Sequence, residues 1–131
     1  MNWRYVDVGE ASLIHQVIIK RAGTKAGVRD FGLLHSAVER PRASFGGEDL
    51  YPGVFEKAAA LMQSMTMNHP FTDGNKRTAW AVTHMFLWIN GQNLKARNME
   101  GADFMVAVDN EKLELKEIAA WLRKHCKSRV V

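Results

Sequence analysis

His69, Asp73, Asn75, Lys76 and Arg77 fall within the nine residues His69-Pro70-Phe71-Thr72-Asp73-Gly74-Asn75-Lys76-Arg77. They sit just ahead of an apolar run, Thr78 to Ile89, that reads as a helix with no clear polar face. The first turn of a helix carries unpaired N–H groups and the positive end of the macrodipole. Gly74 lets a ligand approach the backbone there, Asn75 and Lys76 add donors, and Arg77 adds a planar fork, which together suit a phosphate. Asp73 would repel that anion unless Mg²⁺ lay between them, in which case the carboxylate becomes a metal ligand. His69 has the ordinary chemistry of a base that takes a proton from a hydroxyl nucleophile. Phe71 would point into the core and anchor the loop. A capped turn would account for Asp73-Gly74-Asn75 and for His69-Pro70 as a helix stop. It accounts for neither the histidine's placement nor the two cations.

Helices must hold this loop, and the pattern supplies them. Asp7 with Glu10 makes a capping box, after which Leu13, Ile14, Val17 and Ile18 share a helical face, ended by Gly23 and Gly27. Asp30 caps a second helix with Leu33, Leu34, Ala37 and Val38 inward, stopped at Arg40-Pro41. Gly46-Gly47 between short apolar pieces predicts a small hairpin or flap. Phe55, Ala58, Met62 and Met65 then mark a third helix, its methionines being adaptable core filler. Beyond the central run, Asn98 would cap a helix through Phe104, Val106 and Val108. Leu115, Ile118, Ala119 and Leu122 share the face of a last one. The expected fold is all-α: a compact bundle around a buried central helix, with a flap before the third main helix, and residues 1–131 as one domain.

The chain has 131 residues, 47% of them apolar and 24% charged, which suits a globular protein. Its single cysteine, Cys126, excludes an internal disulfide and fits a reducing compartment. No apolar segment is long enough to cross a bilayer and no secretory h-region stands at the start, so a cytoplasmic location is expected. Net charge is +4, with an isoelectric point near 9.4. That favours an anionic ligand or partner. It does not by itself call for nucleic acid, and no helix-turn-helix pair with a polar recognition face is evident. His15, His35, His84 and His125 have no carboxylate or cysteine at ligand spacing and read as surface or hydrogen-bonded core residues. The basic neighbours of Cys126 could lower its pKa, but no base or cleft accompanies it.

The block His-Pro-Phe-x-Asp-Gly-Asn-x-Arg, His69 to Arg77, resembles the signature of the Fic/Doc family. With the "RPRASFGGEDLYP" stretch and the flanking helices, most of the chain looks like the death-on-curing (Doc) branch, toxins of toxin–antitoxin systems. The resemblance implies a Fic fold, with a flap (Phe45, Gly46, Gly47, Glu48) docking a target as an extended segment. It implies His69 as the base and Asp73 as the Mg²⁺ ligand. Asn75 and the Gly74 amide would cradle phosphate, and Arg77, with Lys76 beside it, would bind phosphate oxygens. AMP-transferring Fic enzymes have Gly where this chain has Lys76 and a second Arg where it has Trp80. The Doc branch shares Lys and lacks that Arg, and reverses the nucleotide to transfer the γ-phosphate of ATP onto elongation factor Tu, arresting translation and growth. Gly74, where the best-known Doc form has Ala, keeps AMP transfer open as the alternative. Self-inhibited Fic proteins carry Ser/Thr-x-x-x-Glu-Gly/Asn. Ser44 to Glu48 and Ala96 to Glu100 both fail that pattern, so a separate Phd-like antitoxin is the implied inhibitor. A small basic DNA-binding module is the alternative of another class.

Overall fold

The structure, a computed structural model, describes residues 2–24, 27–111 and 113–129. Among them are six α-helices, with a small hairpin ahead of the third. Asp7 caps α1 (Val8–Ala22): its Oδ1 accepts from the Glu10 N–H at 2.8 Å, and Glu10 Oε1 accepts from the Asp7 N–H at 3.0 Å. That is the reciprocal box its sequence predicts. Asp30 caps α2 (Phe31–Glu39) through the Leu33 N–H, and a 3₁₀ turn at Arg40–Arg42 follows. β1 (Ser44–Phe45) and β2 (Glu48–Asp49) pair antiparallel across Gly46 and Gly47, at φ 60° and 83°. Two successive left-handed residues make the tight turn whose twist matches a hairpin, which is why two glycines stand there.

α3 (Val54–Asn68) and α4 (Asn75–Ile89) form the centre of the bundle. Every residue from Lys57 to Met62 is buried, and the small side chains Ala58, Ala59 and Ala60 let neighbouring helices come close. Thr78, Ala79, Val82, Thr83, Phe86 and Leu87 bury α4. The core cluster also takes in Leu34, Ala37 and Val38 of α2 and Ile118, Ala119 and Leu122 of α6 (Leu115–Lys124). Among the described residues no helix is long and apolar enough to cross a membrane.

The base of the flap is stapled to α3 by two cations. Lys57 is fully buried; its Nζ donates to Asp49 Oδ2 at 3.0 Å and to the Pro41 carbonyl at 3.2 Å, and lies over the rings of Trp3 and Tyr5. Arg40 donates to Tyr51 Oη at 3.0 Å and to Gln63 Oε1 and Ser64 Oγ at 2.8 and 2.9 Å. The hairpin tip stays in solvent, with Phe45 82% exposed.

Three expectations need correction. The buried stripe of α1 is Ala11, His15 and Ile19, whereas Leu13 and Val17 are exposed. Counting apolar residues chose the wrong face because the true one includes a histidine. α5 (Asn98–Val106) has Arg97, not Asn98, at its cap position, with Glu100 Oε1 accepting the Arg97 N–H at 3.4 Å; Phe104 and Val108 are inward but Val106 is exposed. A short antiparallel pair, β3 (Gln92–Leu94) with β4 (Cys126–Ser128), ties the C-terminal segment to the end of α4, and its mostly polar residues gave no alternating signal.

Candidate active site

The motif occupies the connection between the two central helices. α3 closes at His69, whose φ of 47° and ψ of 57° place a residue with a side chain in the left-handed region. That conformation costs on the order of 1 kcal/mol outside glycine. Arg29 holds it in place: its Nε donates to the His69 carbonyl at 2.8 Å and its Nη2 to the Asn68 carbonyl at 2.9 Å. The same segment braces the loop by backbone. The N–H groups of Arg29 and Asp30 donate to the Pro70 carbonyl, the Thr72 N–H donates to the Gly27 carbonyl, and Val28 bridges Phe71. The His69 side chain stays half exposed.

Phe71 is buried, stacked on His15 with ring centroids 3.8 Å apart and planes at 7°. His15 Nε2 donates to the Asp73 carbonyl at 2.8 Å, so a histidine of α1 orients the loop from beneath. Asn75 has a different duty from the one its position suggests. Its Oδ1 accepts from the Phe71 N–H at 2.9 Å and its Nδ2 donates to the Phe71 carbonyl at 3.0 Å. The side chain thus ties the loop backbone at Phe71 and keeps one N–H of Nδ2 to spare. The Gly74 N–H is taken, by Asp73 Oδ1 at 2.8 Å. What remains for an anion is that side-chain N–H and the first turn of α4. The Asn75, Lys76 and Arg77 amides have no partner inside the helix by its geometry, and Gly74, at φ 77°, caps it.

Asp73 is exposed, and its second oxygen has no protein partner among the described residues. No group of three or more His, Cys, Asp or Glu side chains among those residues could hold a metal unaided. One carboxylate beside an anion site suits Mg²⁺, which takes one or two protein carboxylates and completes its shell with phosphate and water.

Beside Lys76 and Arg77 opens a cavity of about 480 Å³, apolar along Trp80, Ala81 and Met105 and cationic at Arg97. Trp80 forms its wall, close enough to Gly101 that a Cβ there would lie 3.2 Å from the indole, and meets Trp121 edge to face. Lys76 is not free: its Nζ lies 3.4 Å from Asp109 Oδ2, and Asp109 Oδ1 lies 3.5 Å from His69 Nε2. Asp109 belongs to a π-helical turn, Ala107–Glu111, that continues α5.

Three residues missed by motif reading therefore frame the site: His15, Arg29 and Asp109. Nothing in their local sequence links them to the loop. The other histidines lie elsewhere: His35 is exposed and His84 half-buried. His125 has the carboxylate partner that spacing did not reveal, Glu100 Oε2 at 3.2 Å. The hydrogen bond from His125 holds the Glu100 carboxyl below its usual range. Cys126 departs from expectation in the opposite sense: burial pushes its thiol up to about 11.

A model of the Fic/DOC family matches residues 5–87. Toxin Doc of Mycolicibacterium smegmatis is 49% identical over 102 residues, covering 76% of this chain and 78% of the relative. The protein named Protein kinase doc of Escherichia phage P1 is 28% identical over 121 residues, covering 92% of this chain and 94% of the relative.

Proposed function

The chain belongs to the Fic/DOC family, and from that membership we propose that it is a Doc-like toxin transferring the γ-phosphate of ATP to a protein hydroxyl. The observation that carries the reading is the cavity at the start of α4: apolar along Trp80 and Met105, cationic at Lys76, Arg77 and Arg97, and linked to His69 through Lys76 and the Asp109 carboxylate they share. An apolar slot with cations on its lining suits a nucleotide. In the proposed reaction His69 takes the proton of the target hydroxyl. The hydroxyl oxygen then bonds to the γ-phosphorus while the bond to the bridging oxygen breaks, and ADP leaves with that electron pair. Arg77 and the first-turn amides bind phosphate oxygens, and Asp73 is the residue that would hold Mg²⁺. The bound ion would neutralise charge on the phosphates.

Two residues favour γ- over α-transfer. Lys76 puts a cation where AMP-transferring relatives need the space of a glycine. Trp80, packed as cavity wall, stands where those relatives have the second Arg and brings no cation to the outer phosphates. The kinase name of the phage relative agrees with this choice. AMP transfer remains the second reading, favoured by Gly74 at φ 77°, as in the AMP-transferring block. The flap, with Phe45 exposed and strand edges open, suits docking of an extended target segment by strand addition. Elongation factor Tu is the proposed target. A separate Phd-like antitoxin is the proposed inhibitor, consistent with similarity to a Doc toxin.

The test is transfer of label from ATP marked at the α- or the γ-phosphate onto purified elongation factor Tu and onto a whole lysate. It is run with Mg²⁺ and with His69→Ala as control. Label from the γ-position supports the kinase reading, and label from the α-position makes the chain an AMP transferase. Transfer that survives His69→Ala removes the base assignment.

A further inference from the structure

We propose that Asp109 is a positioning residue of this site, one carboxylate that holds the base and restrains the phosphate-binding lysine. The inference rests on the role proposed above for His69 and on Lys76 as a phosphate-binding cation of the same cavity. Asp109 Oδ1 lies 3.5 Å from His69 Nε2 and Oδ2 lies 3.4 Å from Lys76 Nζ. The three side chains are unequally exposed: 18% for Asp109 against 50% for His69 and 48% for Lys76. The carboxylate is therefore the fixed member, and the other two come to it. Its placement follows from the backbone. A π-helical turn widens the chain by one residue at the end of α5, and buried Val108 pins that turn to the core.

The two contacts act on different steps. When His69 takes the hydroxyl proton, positive charge develops on its ring, and a carboxylate facing Nε2 stabilises that charge and holds the ring's orientation. Towards the nucleotide the same carboxylate acts in the opposite sense. It neutralises Lys76 in the unliganded site and repels an incoming phosphate, so part of the lysine's attraction is spent in releasing it from Asp109. Asp109 thus speeds the chemical step and weakens nucleotide binding. A residue that merely kept the fold together would not move the two in opposite directions.

The experiment uses the full chain with Asp109→Asn and Asp109→Ser, neutral and polar substitutions at a partly exposed position. ADP affinity is measured by calorimetry with Mg²⁺, kcat by total label transferred from ATP at either position, and unfolding midpoints are recorded for each variant. Loss of one half-exposed ion pair predicts ADP binding about threefold tighter. Loss of the base's partner predicts kcat lower on the order of tenfold, with Asp109→Glu restoring part of it. Weaker ADP binding together with lower kcat, unchanged kcat, or collapse of both neutral variants would each overturn the assignment. If the wild type binds no nucleotide, the proposed function itself fails. If it binds and transfers while the variants match it, only the role of Asp109 fails.

Discussion

Removing either member of the Lys57–Asp49 pair should have very different consequences. Lys57 is fully buried in α3, whereas the Asp49 side chain on the flap is 41% exposed. Asp49→Asn leaves an ammonium buried with the Pro41 carbonyl and two aromatic faces as its remaining partners. Stranding a buried charge costs about 3–5 kcal/mol. Because Asp49 is partly solvated and Lys57 keeps those other partners, a cost of about 2 kcal/mol is expected. With an unfolding entropy of roughly 2 cal/mol/K per residue, the chain loses about 7 °C in Tm. Lys57→Met removes the charge and leaves Asp49 to hydrate, so its cost should stay within about 1 kcal/mol of zero, in either direction. The double variant should resemble Lys57→Met. Calorimetric melts of all three check this, and equal losses for the two single variants would refute the argument. In both single variants the flap loses one of its two anchors, the Arg40 contacts remaining, so the KM for a protein target should rise while ADP affinity stays as in the wild type.

Three shorter predictions concern other contacts. Arg29→Ala removes the two bonds to the Asn68 and His69 carbonyls. Label transfer should fall on the order of tenfold through misplacement of the base, and millimolar methylguanidinium should restore part of it; absence of any rescue would deny the brace. Cys126, raised from 9.0 to about 11, should carry about a hundredfold less thiolate at pH 8 than an ordinary thiol. Iodoacetamide should accordingly modify it far more slowly than a cysteine-containing peptide, and equal rates would contradict the burial. Glu100 has a folded pKa below its ordinary 4.5, chiefly through the His125 hydrogen bond. Its stabilisation is therefore present above that ordinary value and lost as pH falls through the lower, folded one. Urea midpoints of the wild type and Glu100→Gln should differ at pH 6 and converge towards pH 3; a constant gap would exclude the pair as the cause.

What could be read from the sequence was what local chemistry specifies. The Gly46-Gly47 turn is legible because only a pair of left-handed residues closes a two-residue hairpin with the right twist, and glycines adopt that conformation at no steric cost. The Asp7 and Asp30 caps are legible because a carboxylate three residues ahead of the N–H it captures is a short-range device. The α1 face was not, since hydropathy scored Leu13 and Val17 above a histidine. His15 is buried because a single carbonyl, that of Asp73, accepts its proton, and that acceptor is visible only once α1 and the loop are folded together.

The same reasoning separates the motif from the groups that make it work. The loop positions its own backbone locally, through Asn75 bonded to Phe71 and Asp73 bonded to the Gly74 amide. It cannot supply everything the base proposed at His69 needs, because that residue stands at a helix end in a strained conformation with its ring half in solvent. The restraints come from elsewhere in the fold: His15 below the loop, Arg29 on the carbonyls at its start, and Asp109 facing the imidazole and the lysine. Each is a polar group held by a different element, so each can change without altering the motif. A chain could keep every residue from His69 to Arg77 and still lose its rate. The expectation is that substitutions at these three positions separate folding, nucleotide binding and turnover more cleanly than substitutions within the motif, where one side chain serves several ends.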